Sequence, residues 1–94
     1  MSNNTKDTIF IGKKPLITYV TSAIIQLATL PLITIKARGL SIAHAVDVAQ
    51  IVLHRTNSAF VIGDVKIDSE SLESQDGRTR NVSTIEISIK KKDA

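Results

Sequence analysis

The spacing of apolar residues changes along the chain, and each spacing predicts a different element. Between residues 15 and 30 apolar side chains recur at steps of three and four, the period of a helix with one buried face. The same period returns after Ser41, a good N-cap residue, and predicts a second helix to about Arg55. From Ala59 onward the period is two, which predicts β-strands.

The helical period also predicts which side chains are buried. We expect the first helix to bury Leu16, Val20, Ala23, Ile24, Leu27 and Leu30, and the second to bury Ile42, Ala45, Val46, Ala49, Val52 and Leu53. Ile51, with Val48 beside it, falls on the polar side of the second helix. That position indicates either a partner surface or a scattered apolar surface residue, with equal weight.

Short apolar runs at residues 8–12 and 32–37 predict two more strands, one on each side of the first helix. Pro15 suits the first turn of that helix, and Pro31 ends it. The predicted order is therefore βαβαββ. This order indicates the α/β class, as an α+β two-layer sandwich, in a single domain at residues 8–92 after a flexible N-terminal tail at residues 1–7.

The last two predicted strands form an unusual hairpin around the turn signal Asp76-Gly77. From about residue 70 to residue 81 the apolar face disappears, and Leu72 is the only aliphatic side chain. A strand pair without an apolar face cannot lie on a core, so we expect it to project about 20 Å into solvent. A ribbon that carries Arg78 and Arg80 near its tip has the shape to enter a DNA groove. The alternative is a loosely held surface hairpin without a function.

Composition excludes several classes of site. The 94-residue chain contains no cysteine, which excludes disulfides, thiolate nucleophiles and cysteine-based zinc sites. One tyrosine, two phenylalanines and no tryptophan argue against the base-stacking platforms of single-strand-binding domains. No stretch is apolar enough to span a bilayer, and no signal peptide is visible, so we expect a cytoplasmic protein.

Catalytic chemistry has no support in the sequence. His44 and His54 lie ten residues apart on the second predicted helix, too far apart to share a metal. The segment after Gly12 lacks the spacing of a phosphate-binding P-loop. The acidic residues are spread along a solvated strand face, which argues against a nuclease. We therefore expect no enzymatic activity, no cofactor and no metal.

The net charge is only +3, but the basic residues are clustered. The clusters are Lys13-Lys14, Lys36 with Arg38, Arg78 with Arg80, and Lys90-Lys91-Lys92. Local clusters in a mildly basic chain are compatible with phosphate binding on one face. Lys13 and Lys14 lie where a strand ends and a helix begins, so the helix dipole adds to their attraction for phosphate.

Six segments, in order, resemble a known family. They are Ile11-Gly-Lys-Lys-Pro15, Thr18-Tyr-Val20, Ile35-Lys-Ala-Arg-Gly39, Ala45-Val-Asp47, Ser74-Gln-Asp-Gly-Arg78 and Val82-Ser-Thr-Ile-Glu-Ile87. Together they resemble the archaeal chromatin protein Alba over about residues 8–91. The resemblance implies a βαβαββ fold similar to the C-terminal domain of translation initiation factor three. It also implies a dimer that coats double-stranded DNA without sequence preference and binds RNA as well.

The resemblance further implies roles for individual residues. Lys13 and Lys14 would hold phosphate at the dimer centre, supported by Arg38, while Arg78 and Arg80 would enter the minor groove. Tyr19 would lie against the backbone. The complete expected nucleic-acid-binding set is Lys13, Lys14, Tyr19, Lys36, Arg38, Arg78 and Arg80. One of the paired lysines is the family's acetylation site, with Lys13 the better candidate and Lys14 still open, so an acetyltransferase and a deacetylase are expected partners.

Three positions depart from the family pattern. Leu40 and His44 stand where the family often has a basic residue, which predicts a weaker basic surface. Thr56 stands where a phenylalanine frequently joins one dimer to the next. We therefore expect weaker contact between dimers unless Ile51 or Phe60 substitutes, and a heterodimer with a second Alba-like protein becomes an alternative to the homodimer.

Two functions remain open after this comparison. The first is a chromosome-associated protein that coats and compacts DNA. The second is an RNA-binding protein that acts on structured RNA, as a ribonuclease P-type subunit or an RNA chaperone. The basic clusters suit both, since phosphate contacts carry no sequence information.

Overall fold

A computed structural model describes residues 7–92, and its element order confirms the predicted fold. The elements are β1 (Thr8–Phe10), α1 (Leu16–Leu27), β2 (Leu32–Arg38), a 3₁₀ turn (Gly39–Ser41), α2 (Ile42–Arg55), β3 (Phe60–Glu73) and β4 (Thr79–Lys91). The strands form one sheet in the order β1-β2-β4-β3. β1 pairs parallel with β2, and the other neighbours are antiparallel. Apart from Asp7, the predicted flexible tail lies outside the described residues.

Both helices pack on one face of the sheet, and the core lies between the two layers. Ile9, Ile35 and Ile87 stand side by side on β1, β2 and β4, and all three are buried. Ile33 and Ile89 form the next row and are fully buried. Since side chains alternate between faces along a strand, the residues between these positions lie on the opposite face, away from the helices. We call this opposite side the open face.

The buried stripe of α2 differs from the predicted one. Ala45, Ala49 and Val52 are buried as expected, but Val46 is exposed and Val48 is fully buried. The predictions for Val46 and Val48 were therefore wrong. Apolar spacing allowed two overlapping stripes on this helix, and the choice between them depends on how α2 is rotated against α1 and the sheet.

The helix boundaries also differ slightly from expectation. α1 ends at Leu27, so Leu30 lies beyond it and packs against the core from a turn. Pro15 precedes α1 as its N-cap residue instead of standing in the first turn. Ser41 occupies the N-cap position of α2 but makes no capping side-chain bond, because the preceding 3₁₀ turn already gives its backbone helical angles (φ −81°, ψ −6°).

Strand β3 contains a β-bulge that determines which of its side chains face the helices. Ile62 pairs with Ile89 and Val65 pairs with Ile87, so one extra residue of β3 lies between these pairs. The bulge brings Val65 and Ile67 to the helix-facing side. However, the helices do not cover them, and they are 54% and 79% exposed. We call Val65 and Ile67 the outer strip.

The hairpin between β3 and β4 continues past the end of the sheet. β2 pairs with β4 only as far as Arg38 and Thr84, whereas β3 and β4 remain paired to Glu73 and Thr79. We call residues 69–83 the arm; all of its side chains except that of Val82 are exposed. The long dimension of the molecule, 51 Å against 30 Å and 24 Å, reflects this projection.

The turn of the arm lies where the sequence predicts it, with a different centre. The carbonyl of Ser74 accepts a hydrogen bond from the N–H of Gly77 at 3.0 Å, so Gln75 and Asp76 are the central residues. Gly77 follows them with a φ of +84°, a conformation that glycine adopts without strain. No helix within residues 7–92 is long and apolar enough to cross a membrane.

Candidate nucleic-acid interface

The topology brings two basic clusters to the same edge of the sheet. Because β1 and β2 are parallel, their carboxyl ends lie at one edge. Lys13 and Lys14 follow the end of β1, while Lys36 and Arg38 occupy the end of β2. The N–H of Ile11 donates to the carbonyl of Lys36 at 2.9 Å, which ties the two segments together. We call these four cations the basic edge.

The arm projects from this same edge. β4 runs antiparallel to β2, and Thr84 is the first residue of β4 that pairs with β2, opposite Arg38. The arm ends at the residue before Thr84, so it projects from the edge where Arg38 lies. Arg78 and Arg80 are exposed near its tip. By contrast, Lys90 pairs with Leu32 at the other end of β2, which places the C-terminal lysine cluster at the opposite edge. The fold thus unites three of the four basic clusters and separates the fourth.

Tyr19 holds the loop that carries the paired lysines. Its hydroxyl accepts hydrogen bonds from the N–H groups of Gly12, at 2.9 Å, and of Lys14, at 3.0 Å. The side chain is buried, with only 8% of the residue exposed. A Cβ at Gly12 would lie 3.4 Å from this hydroxyl, at the lower limit of ordinary van der Waals contact. The structure therefore gives Tyr19 a positioning role: it fixes the loop backbone while Lys13 and Lys14 extend into solvent.

Two cations of the basic edge are paired with carboxylates that the sequence analysis did not single out. Arg38 Nη1 lies 2.9 Å from Glu70 Oε1, and Lys36 Nζ lies 3.8 Å from Glu86 Oε2. Both pairs are well exposed to solvent, and such pairs contribute at most about 1 kcal/mol. A phosphate can therefore displace either carboxylate at low cost. Only the register between distant strands brings these partners together.

The turn of the arm is ordered by its own polar side chains. The hydroxyl of Ser74 donates to the Asp76 carboxylate, which also accepts from the N–H of Arg78 at 3.2 Å. These hydrogen bonds hold the pKa of Asp76 below its usual 3.8, and the bond from the Ser74 hydroxyl has the largest effect. Arg78 Nε lies 3.6 Å from the same carboxylate. The arm thus presents its arginines from a structured turn.

The candidate residues for contact between dimers lie at the opposite edge and are not freely exposed. Thr56 ends α2 and donates its hydroxyl to the carbonyl of Val52 at 2.8 Å. Ile51 and Phe60 are half-buried and pack against the core. The outer strip has the same alternating pattern as a buried strand, so the sequence does not indicate that Val65 and Ile67 are exposed.

Within the described part of the chain, no three histidine, cysteine, aspartate or glutamate side chains lie together as a metal ion requires. His44 and His54 are both exposed on α2.

Comparison with known proteins identifies the family. The family model for Alba matches residues 7–69, well over half of the chain. The chain belongs to the Alba family. It is 66% identical, over its whole length and that of its relative, to the DNA/RNA-binding protein Alba of Nitrosopumilus maritimus. It is 47% identical to the DNA/RNA-binding protein Alba of Nanoarchaeum equitans over 89% of this chain and 97% of that protein.

Solved structures agree with this assignment. Alba from Thermoplasma volcanium superposes with a TM-score of 0.83 at 39% identity and covers 89% of this chain and 99% of that one. ALBA1 from Trypanosoma brucei superposes with a TM-score of 0.75 over 97% of this chain and 74% of that one, but at 17% identity. The second similarity shows the fold alone. The resemblance to Alba that the six sequence segments predicted is confirmed.

Proposed function

We propose that this chain is a chromatin protein that binds double-stranded DNA without sequence preference, as a dimer, and also binds RNA. The observation that carries the proposal is the union of three basic clusters at one edge, from which the arm projects. The names of its Alba relatives, which are described as DNA/RNA-binding, support the same ligand class. Association with the chromosome follows from this function.

The first phosphate contact is made by the loop at residues 11–15, which we call the lysine loop. Lys13 and Lys14 are exposed, and the Tyr19 hydroxyl holds the backbone between β1 and α1 in one conformation. A fixed loop loses less conformational entropy when it binds. The amino end of α1 follows directly, and its dipole adds to the attraction for an anion. Contacts of this kind read the charge of the backbone and not the bases, so binding is weakly selective and strongly salt-dependent.

The arm supplies the second contact. Its five strand residues per leg reach about 16 Å from the sheet, enough to follow a groove past the phosphates. Arg80 lies on the β4 leg and Arg78 in the turn just before it, whereas Glu70 and Glu73 lie on the β3 leg. This separation favours an approach with the arginine-bearing leg nearest the DNA backbone.

A second copy of the chain would cover the outer strip. Val65 and Ile67 extend the helix-facing rows of Ile87 and Ile85 but have nothing above them in the described chain. Exposed aliphatic side chains in such a continuation of the core favour a partner that completes it. A two-fold axis near the strip brings the same surface of both copies together and doubles the basic edge and the arm. The heterodimer with another Alba-like protein uses the same strip.

Acetylation is the proposed control of this contact. Lys13 and Lys14 are both exposed, so either ammonium group is accessible to an acetyltransferase and, once modified, to a deacetylase. Acetylation removes the positive charge and thereby weakens phosphate binding.

Structured RNA is the second candidate ligand. The "DNA/RNA-binding" description of the relatives favours it, and contacts to phosphates do not by themselves distinguish the two polymers. The affinities for duplex DNA and for an RNA hairpin, measured at one salt concentration, separate a chromatin protein from a ribonuclease P-type subunit or an RNA chaperone.

The decisive experiment measures duplex affinity against salt for the wild type and a Lys13→Ala/Lys14→Ala variant. A dimer that loses four phosphate contacts should have a shallower slope of log K against log salt, with a magnitude smaller by up to about 3.6. The matched control is Lys91→Ala/Lys92→Ala, which removes the same charge at the opposite edge and should change the slope much less. Equal slopes for both variants, or wild-type binding that does not respond to salt, would contradict the proposed site.

A further inference from the structure

The open face of the sheet carries an exposed aromatic ring beside a cation. Phe10 is 61% exposed, and Lys36 Nζ lies 5.9 Å from the centre of its ring. Strand register continues this row through Glu86 on β4 to Lys66 on β3. Because most of the Phe10 side chain is exposed, the described chain buries little of it, and its ring offers a surface on which another planar group can stack.

A shallow depression of about 360 Å³ adjoins this ring. Its open-face side chains are those of Phe10, Lys36, Arg38, Glu70, Thr84 and Glu86. The volume falls within the range of sites for small planar ligands. The lining combines an aromatic face, two cations and several oxygen acceptors, which is the set of groups that a nucleotide requires.

We propose that this depression binds an unpaired nucleobase of a single-stranded nucleic acid, stacked on Phe10. Lys36 and Arg38 would contact the adjoining phosphate and exchange their present carboxylate partners for it. That exchange frees Glu86 and Glu70 to accept hydrogen bonds from the N–H groups at the edge of the base. The two cations therefore match the phosphate of one nucleotide, and the two carboxylates match the N–H groups of its base. Lys66 and Asp68 also lie on the open face, but their charges are opposite and leave the net charge around the site unchanged.

The base site extends the proposed function, and it rests on that function only for the phosphate contact of the lysine loop. Phe10 precedes Lys13 by three residues, so their Cα atoms lie within about 11 Å of each other. A single strand that places a base on Phe10 can therefore place a neighbouring phosphate on the loop. Bases inside a duplex are already stacked and offer no free face, so this site selects unpaired nucleotides.

Fluorescence provides a direct test, because the chain has no tryptophan. Phe10→Trp places a single indole at the proposed site, and its emission should fall when a single strand of about 12 nucleotides binds. A duplex of the same length should quench it much less. The matched control is Ile25→Trp, at an exposed position of α1 in the helical layer, whose emission should not respond to either probe.

Affinity provides the second measurement. Phe10→Leu keeps an apolar side chain but removes the stacking face, and should weaken single-strand binding about 5- to 10-fold. Duplex binding should stay unchanged. An unresponsive Phe10→Trp signal at saturation, or equal loss of single-strand and duplex affinity in Phe10→Leu, overturns the base site. If the wild type binds duplex but no single strand, the base site is wrong and the proposed function stands; binding of single strands alone contradicts duplex coating and leaves the base site intact.

Discussion

The strands beneath the helices and the outer strand β3 have the same aliphatic alternation in opposite surroundings. Ile85 and Ile87 on β4 are 8% and 4% exposed, while their neighbours Ile67 and Val65 on β3 are 79% and 54% exposed. β4 lies between β2 and β3 and beneath the helices, whereas β3 is the edge strand and its Val65 and Ile67 are not covered by a helix. Alternation therefore identifies the apolar face of a strand, but the position of the helices decides whether this chain covers that face itself.

The contacts that we propose with the partner copy and through the arm lie in the uncovered region. Among the described residues, no arm side chain belongs to the core cluster, and the arm is held by backbone pairing and a few polar contacts, such as the hydrogen bond from Ser71 Oγ to Asn81 Oδ1 at 3.0 Å. Segments with few apolar contacts open at low free energy. We infer that the covered sheet provides stability, while the outer strip and the arm provide surfaces for partners.

The strongest test of this difference is Ile67→Asp. In a dimer closed over the outer strip, the new carboxylate would be buried without a partner, at a cost of about 3–5 kcal/mol per copy. We expect the dimer to dissociate into folded monomers, as measured by light scattering after gel filtration. The control is Lys66→Asp, a larger charge change on the open face of the same strand. If both variants remain dimeric, the outer strip is not the interface.

Truncation beneath the helices should destabilise the fold itself. Ile33 is fully buried, so Ile33→Ala should lower the free energy of unfolding by about 2–5 kcal/mol. Urea denaturation at fixed protein concentration measures this change. Ile25→Ala makes the same truncation at a position that is 65% exposed, and should change stability by less than about 0.5 kcal/mol. Similar losses of stability in the two variants would show that burial does not distinguish these positions.

The lysine loop is exposed, but the hydroxyl of the buried Tyr19 holds its backbone. Tyr19→Phe removes only this hydroxyl. Loss of the acceptor for the amides of Gly12 and Lys14 should cost about 1–2 kcal/mol and weaken duplex binding. Hydrogen exchange should accelerate at these two amides. It should not change at Ile11, whose N–H donates to the carbonyl of Lys36. Uniform acceleration at all three amides would indicate general destabilisation instead.

The smallest expected effect concerns acid at the tip of the arm. Because the folded pKa of Asp76 lies below 3.8, its contribution to the turn is complete above the unfolded value and is lost as the pH falls through the folded one. A carbon-detected NMR titration should place its midpoint below 3.8, and Ser74→Ala should raise it. An unchanged midpoint in that variant would contradict the role of the Ser74 hydroxyl.

Much of the fold was predictable because its signals are local. The helical period, Pro31 and the loss of apolar residues after residue 70 each act within a few neighbours, and they predicted the element order and the arm correctly. The basic clusters could also be identified from the sequence, because their residues are close together in the chain. Composition was less informative about aromatic groups: few rings argued against base stacking, but the number of rings does not show that Phe10 is exposed beside Lys36.

The sequence by itself determined the elements, their order and the family, because short-range periodicity and ordered motifs are properties of the chain. Only the tertiary structure decided that Val48 is buried and that the outer strip is uncovered. It alone paired Arg38 with Glu70 and placed the Tyr19 hydroxyl under the lysine loop. These outcomes depend on helix rotation, on strand register and on one bulge, which join residues far apart in the chain and leave no local pattern.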